Sequence, residues 1–191
     1  MWTLIDSEVV LFDVETTDTS LALAAGAMPS IVEIGAVRFT ADFEVVGEYS
    51  SLVQPPNLDG FTEMSRHITG IEPGDLAEAR PWLKVWREFA EFTDFNLLRL
   101  MAWHAPFDTP VLRAAYGRDR LGFPHEQTVI CAAALVYGFC CQWGIKPRSW
   151  KLAHVCERFE VPHEKQHRAL PDARAAMRLL QAVAEFEDTL T

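Results

Sequence analysis

The sequence predicts an α/β domain built on a mixed five-stranded sheet with helices on both faces. Two observations lead there. Three apolar, β-rich runs crowd the N-terminal part of the chain, and further on helical periodicity alternates with short apolar runs. The size agrees: 191 residues, 49% apolar and 23% charged, suit one domain with a real core.

The elements follow in order. Val9-Val10-Leu11-Phe12 is a short apolar run and reads as a buried first strand. Residues 18–30 carry Asp, Gly and Pro around an Ala/Leu patch and read as a loop with room for one helical turn. Ile31–Phe39 shows little alternation, as expected of a strand covered on both faces. Val45–Val53 is a third strand, ended by Pro55-Pro56. Trp82, Val85, Trp86 and Phe89 then recur at i, i+3, i+4 and i+7, with Pro81 suited to the first turn of that helix. Leu98–Trp103 reads as a fourth strand. A helix begins near Phe107, where Pro110 is tolerable only within the first turn. Thr128–Ile130 is a short fifth strand running into the helix Ala132–Tyr137, and Trp150–Phe159 is another helix, stopped near Pro162. The last helix starts at about Pro171 and buries Ala176, Leu180, Val183 and Ala184.

No apolar run approaches the length of a membrane span, and Met1–Asp6 lacks the basic-then-apolar order of a signal peptide. The four cysteines, Cys131, Cys140, Cys141 and Cys156, show no CxxC spacing, so reduced thiols in a cytoplasmic protein are expected. The net charge of −10 argues at face value against nucleic acid as a partner. A site working through divalent cations changes that balance locally, because carboxylates gather there and the bound metal restores a positive field. Weak binding to long duplexes and a short grip on a strand end fit such a charge.

Asp13 and Glu15 close the first strand in Phe12-Asp13-Val14-Glu15-Thr16-Thr17. Residues two apart on a strand share a face, so two like charges converge with no cation beside them in this run. A divalent ion removes the conflict, and hard oxygen ligands select Mg²⁺ or Mn²⁺. A solvated strand end with incidental acids is the plain alternative. Asp108, in His104-Ala105-Pro106-Phe107-Asp108, falls in a first helical turn, where an acid is also favoured by the helix dipole. His167-Arg168-Ala169-Leu170-Pro171-Asp172 puts Asp172 in another first turn with His167 on the loop before it, a pattern that also serves as a helix cap.

Together these segments resemble the three motifs of the DEDDh (DnaQ-like) 3′–5′ exonucleases, a family that includes the proofreading subunit of bacterial DNA polymerase III, ribonuclease T and oligoribonuclease. Asp13-Val14-Glu15-Thr16-Thr17 is similar to the first motif, Phe107-Asp108 to the end of the second, and His167 five residues before Asp172 to the third, in its histidine branch. Ile31–Val37 resembles the family's second strand and Thr69-Gly70-Ile71 its His-Gly-Ile turn, so the likeness runs from about residue 8 to about residue 185 of a single domain, 1–191. Two positions depart from the pattern. Trp103-His104 stand where the second motif usually has His-Asn, and Thr69 replaces the turn histidine.

The resemblance implies a ribonuclease-H-like fold and two Mg²⁺ (or Mn²⁺) ions held by Asp13, Glu15, Asp108 and Asp172. It implies His167 as general base, with the five named residues as the catalytic set. Thr16, Ile68, Thr69 and Phe107 would pack against the last nucleotide, though Ile68 and Phe107 read equally as core. Arg168 would contact phosphate. The substrate implied is the 3′ end of single-stranded nucleic acid, DNA favoured over RNA, with release of nucleoside 5′-monophosphates. No polymerase-docking segment is visible. Trp143–Lys151 interleaves two tryptophans with Lys146, Arg148 and Lys151, the composition that grips single strands by stacking and charge, unless Trp150 packs inside its helix.

Three other readings compete, of which a phosphatase with an aspartate nucleophile would want Asp-x-Asp-x-Thr and meets Glu15 at the second acid. His163-Glu164-Lys165-Gln166-His167 satisfies the HExxH pattern of zinc proteases, with Glu187 as a third ligand, but that pattern works only on a continuous helix, and Pro162 and Pro171 bracket the segment. A catalytically dead nucleic-acid-binding module would normally have lost an acid or the histidine.

Overall fold

The computed structural model describes residues 8–20, 28–94, 98–118, 121 and 128–189. Seven α-helices and six strands follow along these residues: β1 (Val9–Thr16), β2 (Ile31–Phe39), β3 (Val45–Gln54), α1 (Glu63–Thr69), α2 (Pro73–Ala77), β4 (Arg80–Pro81), α3 (Trp82–Thr93), β5 (Arg99–Ala102), α4 (Ala105–Arg118), β6 (Ile130–Cys131), α5 (Ala132–Trp143), α6 (Leu152–Arg158) and α7 (Ala169–Asp188). The strands lie in the order β4-β3-β2-β1-β5-β6. β1, β2 and β3 pair antiparallel, while β5 runs parallel to β1 and β6 parallel to β5.

The mixed sheet with helices on both faces is as expected, but it has six strands rather than five. The extra strand, β4, is a two-residue pairing of Arg80 and Pro81 with Val53 and Gln54, too short to leave a periodic trace. The loop expected over residues 18–30 lies largely outside the described residues, at 21–27. Pro110 is not in a first turn. α4 begins at Ala105, which leaves Pro110 inside the helix. Pro106 and Pro110 are both exposed, so the carbonyl that Pro110 cannot serve is open to water. α7 likewise begins two residues before Pro171, and Ala184 is only half-buried.

Alternation along β1 divides the core. Val10, Phe12 and Val14 point to α3 and α4, where they meet Trp82, Val85, Phe89, Val111, Leu112 and Tyr116. Val9 and Leu11 point the other way, into a cluster with Val136 and Phe139 of α5, Val155 of α6, and Ala173, Ala176 and Leu180 of α7. Asp13 and Glu15 continue this second series, so they emerge on the face that α7 covers. One register shift lies beside them. Glu15 pairs with Glu33 and Thr16 with Ile31, which leaves Val32 as a bulge that turns into a separate cluster with Phe61, Ile71 and Leu76.

How α7 comes so close is decided at Gly35, the partner of Asp13 across the β1–β2 ladder. A Cβ there would lie 2.1 Å from the Leu170 nitrogen and 2.5 Å from the Ala169 carbonyl carbon. The first turn of α7 therefore rests on bare strand backbone, and only glycine permits that approach.

Candidate active site

Three acids meet where α7 crosses β1. One carboxylate oxygen from each of Asp13, Glu15 and Asp172 lies within 4.8 Å of the other two. β1 supplies the first two through its period of two, and the Gly35 contact sets the first turn of α7, with Asp172, against them. Asp108 is buried beside this trio rather than within it. It reaches the site from the opposite layer, on the first turn of α4. β5 stops at Ala102, level with Phe12, and beyond that end the Val14 N–H bonds the Asp108 carboxyl, joined by the N–H groups of Asp108 and His104.

Crowding shows in the acidities. Burial, then the charges of Asp108, Glu15, Asp172 and Glu33, hold the Asp13 carboxyl well above the usual carboxylate range. Burial and the charges of Asp172, Glu33 and Asp108 push Glu15 up to about 8, against a small opposing pull from Arg168. Burial raises Asp108 to about 7 in spite of its three backbone N–H bonds. Oxygen donors this close, with each other's charge as the difficulty, form a fitting set for hard divalent cations.

A pH dependence follows. Unfolded, the Glu15 and Asp108 carboxyls would release protons near 4; folded, they keep them to about 8 and about 7. The ion-free fold thus binds more protons than the unfolded chain between those limits. The contribution of these two carboxyls to its stability is fully present below about pH 4 and is lost as pH rises through 7 to 8. Mg²⁺ or Mn²⁺ should therefore raise the Tm more at pH 8.5 than at pH 6, by several degrees. Equal shifts at the two pH values, measured by thermal melting with and without chelator, would count against this account.

The segment before α7 is tied to the acids. Asp172 accepts from the His167 backbone N–H at 3.2 Å and is 2.8 Å from His163 Nε2. His167 itself takes a left-handed backbone, φ 61°, and its side chain is exposed. His163 has a side chain only 6% exposed. Residues 161–168 form no helix, so His163 and His167 do not share a helical face. The zinc-protease reading falls on that geometry, since Pro162 and a left-handed Lys165 and His167 interrupt any helical run.

Arg168 is engaged. Its Nε and Nη2 donate to Glu33 at 2.9 and 2.8 Å, and Glu33 also accepts from the Ala169 N–H at 3.1 Å. Glu33 thereby caps α7 from a neighbouring strand, and Arg168 offsets the repulsion of Glu33 against Glu15 directly across the ladder. The Thr69 side chain, buried at the end of α1, donates to the Ser65 carbonyl and accepts from the Ile71 N–H. The Thr16 hydroxyl donates to the Asp18 carbonyl. Ile68 is half-buried on α1, and Phe107 packs partly buried against the α3–α4 core. Sequence reasoning missed the roles of Glu33, His163 and Gly35. Only Glu33 left a signal, an acid among the apolar residues of Ile31–Val37.

The sequence profile of the exonuclease (RNase T) family matches residues 10–180. A Mycobacterium tuberculosis protein named as a bifunctional exonuclease/endonuclease is 32% identical over 181 residues, which are 94% of this chain and 27% of the relative. The PolC-type DNA polymerase III of Thermotoga petrophila is 30% identical over 177 residues, 93% of this chain and 12% of the relative. This chain therefore spans about a quarter or less of the length of these two relatives. Among solved structures, the nuclease domain of 3′hExo, described as a DEDDh family member bound to rAMP, superposes with a TM-score of 0.76 at 18% identity, over 97% of this chain and 94% of that one. Its ribonuclease-H-like fold is the fold of this chain. With the motifs in order, the matching profile and a carboxylate trio at the crossing of β1 and α7, the chain belongs to the exonuclease family, in its DEDDh (DnaQ-like) branch.

Proposed function

We propose that this protein is a 3′–5′ exonuclease that shortens single-stranded nucleic acid, DNA in preference to RNA, and releases nucleoside 5′-monophosphates. The observation that carries the reading is the meeting of Asp13, Glu15 and Asp172 from distant segments within 4.8 Å, with Asp108 buried alongside. Asp13, Glu15, Asp172 and Asp108 would hold two Mg²⁺ or Mn²⁺ ions. Bound there, such ions supply positive charge that acidifies water and stabilises the oxygen that leaves.

His167 takes the proton of the attacking water as general base. The backbone bond from His167 to Asp172 supports this role, because it ties the loop that carries the imidazole to one of the acids. The water oxygen attacks the terminal phosphorus in line, and the 3′-oxygen of the penultimate nucleotide departs. Thr16, Ile68, Thr69 and Phe107 would bound the terminal nucleotide. For Thr69 and Thr16 the contribution would come from the face each presents, since their hydroxyls already bond backbone carbonyls. Arg168, locked to Glu33, would lend charge toward phosphate while it holds α7 in place.

The preference for DNA is supported by likeness to the PolC-type polymerase, which also makes a polymerase assembly a natural setting. The second reading is an exoribonuclease, favoured by the rAMP bound to 3′hExo. 5′-Labelled DNA and RNA 12-mers decide between them. With Mg²⁺ or Mn²⁺ the DNA should shorten stepwise from its 3′ end and faster than the RNA, and chelator should stop the reaction. His167→Ala should slow it by about 10²- to 10⁴-fold. Intact oligonucleotides after incubation with either ion would refute an enzyme and favour a binding module.

A further inference from the structure

Between Glu126 and Glu157 the sequence has no aspartate or glutamate, in a chain of 27 acids and net charge −10. The stretch holds Lys146, Arg148 and Lys151, all exposed. It is also where large aromatic rings reach solvent. Trp150 precedes α6 instead of packing within it; it is 40% exposed and meets Tyr137, 51% exposed, edge to face at a centroid distance of 4.7 Å. Trp143 is equally exposed, at 39%, and stands beside Phe139 of the core with ring centroids 6.4 Å apart.

This surface is continuous with the candidate active site. Ser149 is bonded to His154 Nδ1 at 2.6 Å, which pins the 148–151 turn to α6. Beside that turn opens a groove of about 370 Å³ lined by Arg148, His154, Glu157, His163 and Gln166 among others. Its far wall, His163, is bonded to Asp172. Glu157, the acid of the groove, lies 3.7 Å from Arg148, and both are well exposed, so this pair restrains the cation little.

We propose that the Tyr137–Trp150 pair with Lys146, Arg148 and Lys151 is a docking surface for single-stranded nucleic acid, carrying the strand behind the nucleotide being removed. Resting on the exonuclease reading, it adds the path of the substrate. Aromatic rings stack on bases of any identity and the cations follow the phosphates, so binding here is independent of sequence. The local reversal of charge answers the objection that the chain as a whole repels a polyanion: the strand meets positive charge on its way to metal-bound acids.

Binding of fluorescent dT12, measured by anisotropy in chelator so that nothing is cleaved, tests the surface apart from catalysis. Trp150→Ala should weaken binding about 5- to 100-fold. Lys146→Ala/Lys151→Ala should reduce the slope of log affinity against log salt by about 0.7 for each lost phosphate contact, about 1.4 in all. With Mg²⁺, both variants should raise KM for dT12 and leave turnover of the p-nitrophenyl ester of thymidine 5′-monophosphate, which has no upstream strand, unchanged. Wild-type affinity for dT12 in both variants overturns the proposal, as does an equal loss on the ester. If Trp150→Ala instead abolishes self-association of the protein in sedimentation, the surface is an interface between copies and the proposal falls. Trp150-dependent binding of dT12 without cleavage of either substrate would uphold the surface and refute the exonuclease.

Discussion

Replacing Asp13 by asparagine is expected to lower exonuclease turnover by on the order of 10³-fold while raising the Tm of the ion-free protein at pH 8 by several degrees. The opposed signs have one cause. Asp13 sits at the centre of the acids, and burial together with Asp108, Glu15, Asp172 and Glu33 penalises its charge. Asparagine keeps the size and removes the charge, so the ion-free fold is relieved of repulsion while a proposed metal ligand is lost. Turnover of a 5′-labelled 12-mer and thermal melting in chelator check the two halves. A variant that loses both activity and stability would mean that Asp13 holds the fold together, and the metal-site account would fail.

Gly35→Ala is expected to be at least as damaging, by a different route. The new methyl would occupy space held by backbone atoms of Ala169 and Leu170, at 2.1 to 2.6 Å, and backbone cannot swing aside as a long side chain can. The first turn of α7 must lift off β2, taking with it the Glu33 bonds to Arg168 and Ala169 and moving Asp172 away from Asp13 and Glu15. Overpacking of this kind costs about 3 kcal/mol or more, about 6 to 12 °C in Tm for a domain of this size. Activity should fall with it, and so should the stabilisation by Mn²⁺, because the trio no longer closes. A Gly35→Ala protein that melts within 2 °C of wild type and still gains stability from Mn²⁺ would show that the helix is positioned by something other than this contact.

Much of the site could be read along the chain, and the reason is local geometry. Asp13 and Glu15 share a face because a strand alternates, and Pro171, although it is the third and not the first helical residue, still marks the first turn in which Asp172 falls. The strands β1 to β3 and the helix α3 were legible for the same reason, each long enough to repeat its period. β4 was not, since two residues have no period, and neither was the true start of α4, because exposed Pro106 and Pro110 can sit in a helix that pattern rules would end. His163 illustrates the other kind of limit. Read in sequence it is half of an HExxH pair; in the fold the segment is extended and bent, and the ring is spent on Asp172.

The sequence by itself determined the family and singled out Asp13, Glu15, Asp108, Asp172 and His167 as its candidates, because spacing within each motif is a property of a few consecutive residues. Tertiary structure alone decided that Asp108 arrives from the opposite layer, that Arg168 is locked to Glu33, and that Trp150 faces water. Each of these depends on partners tens to more than a hundred residues away or on what lies over a side chain, and burial and charge pairing act through space with no trace in the spacing along the chain.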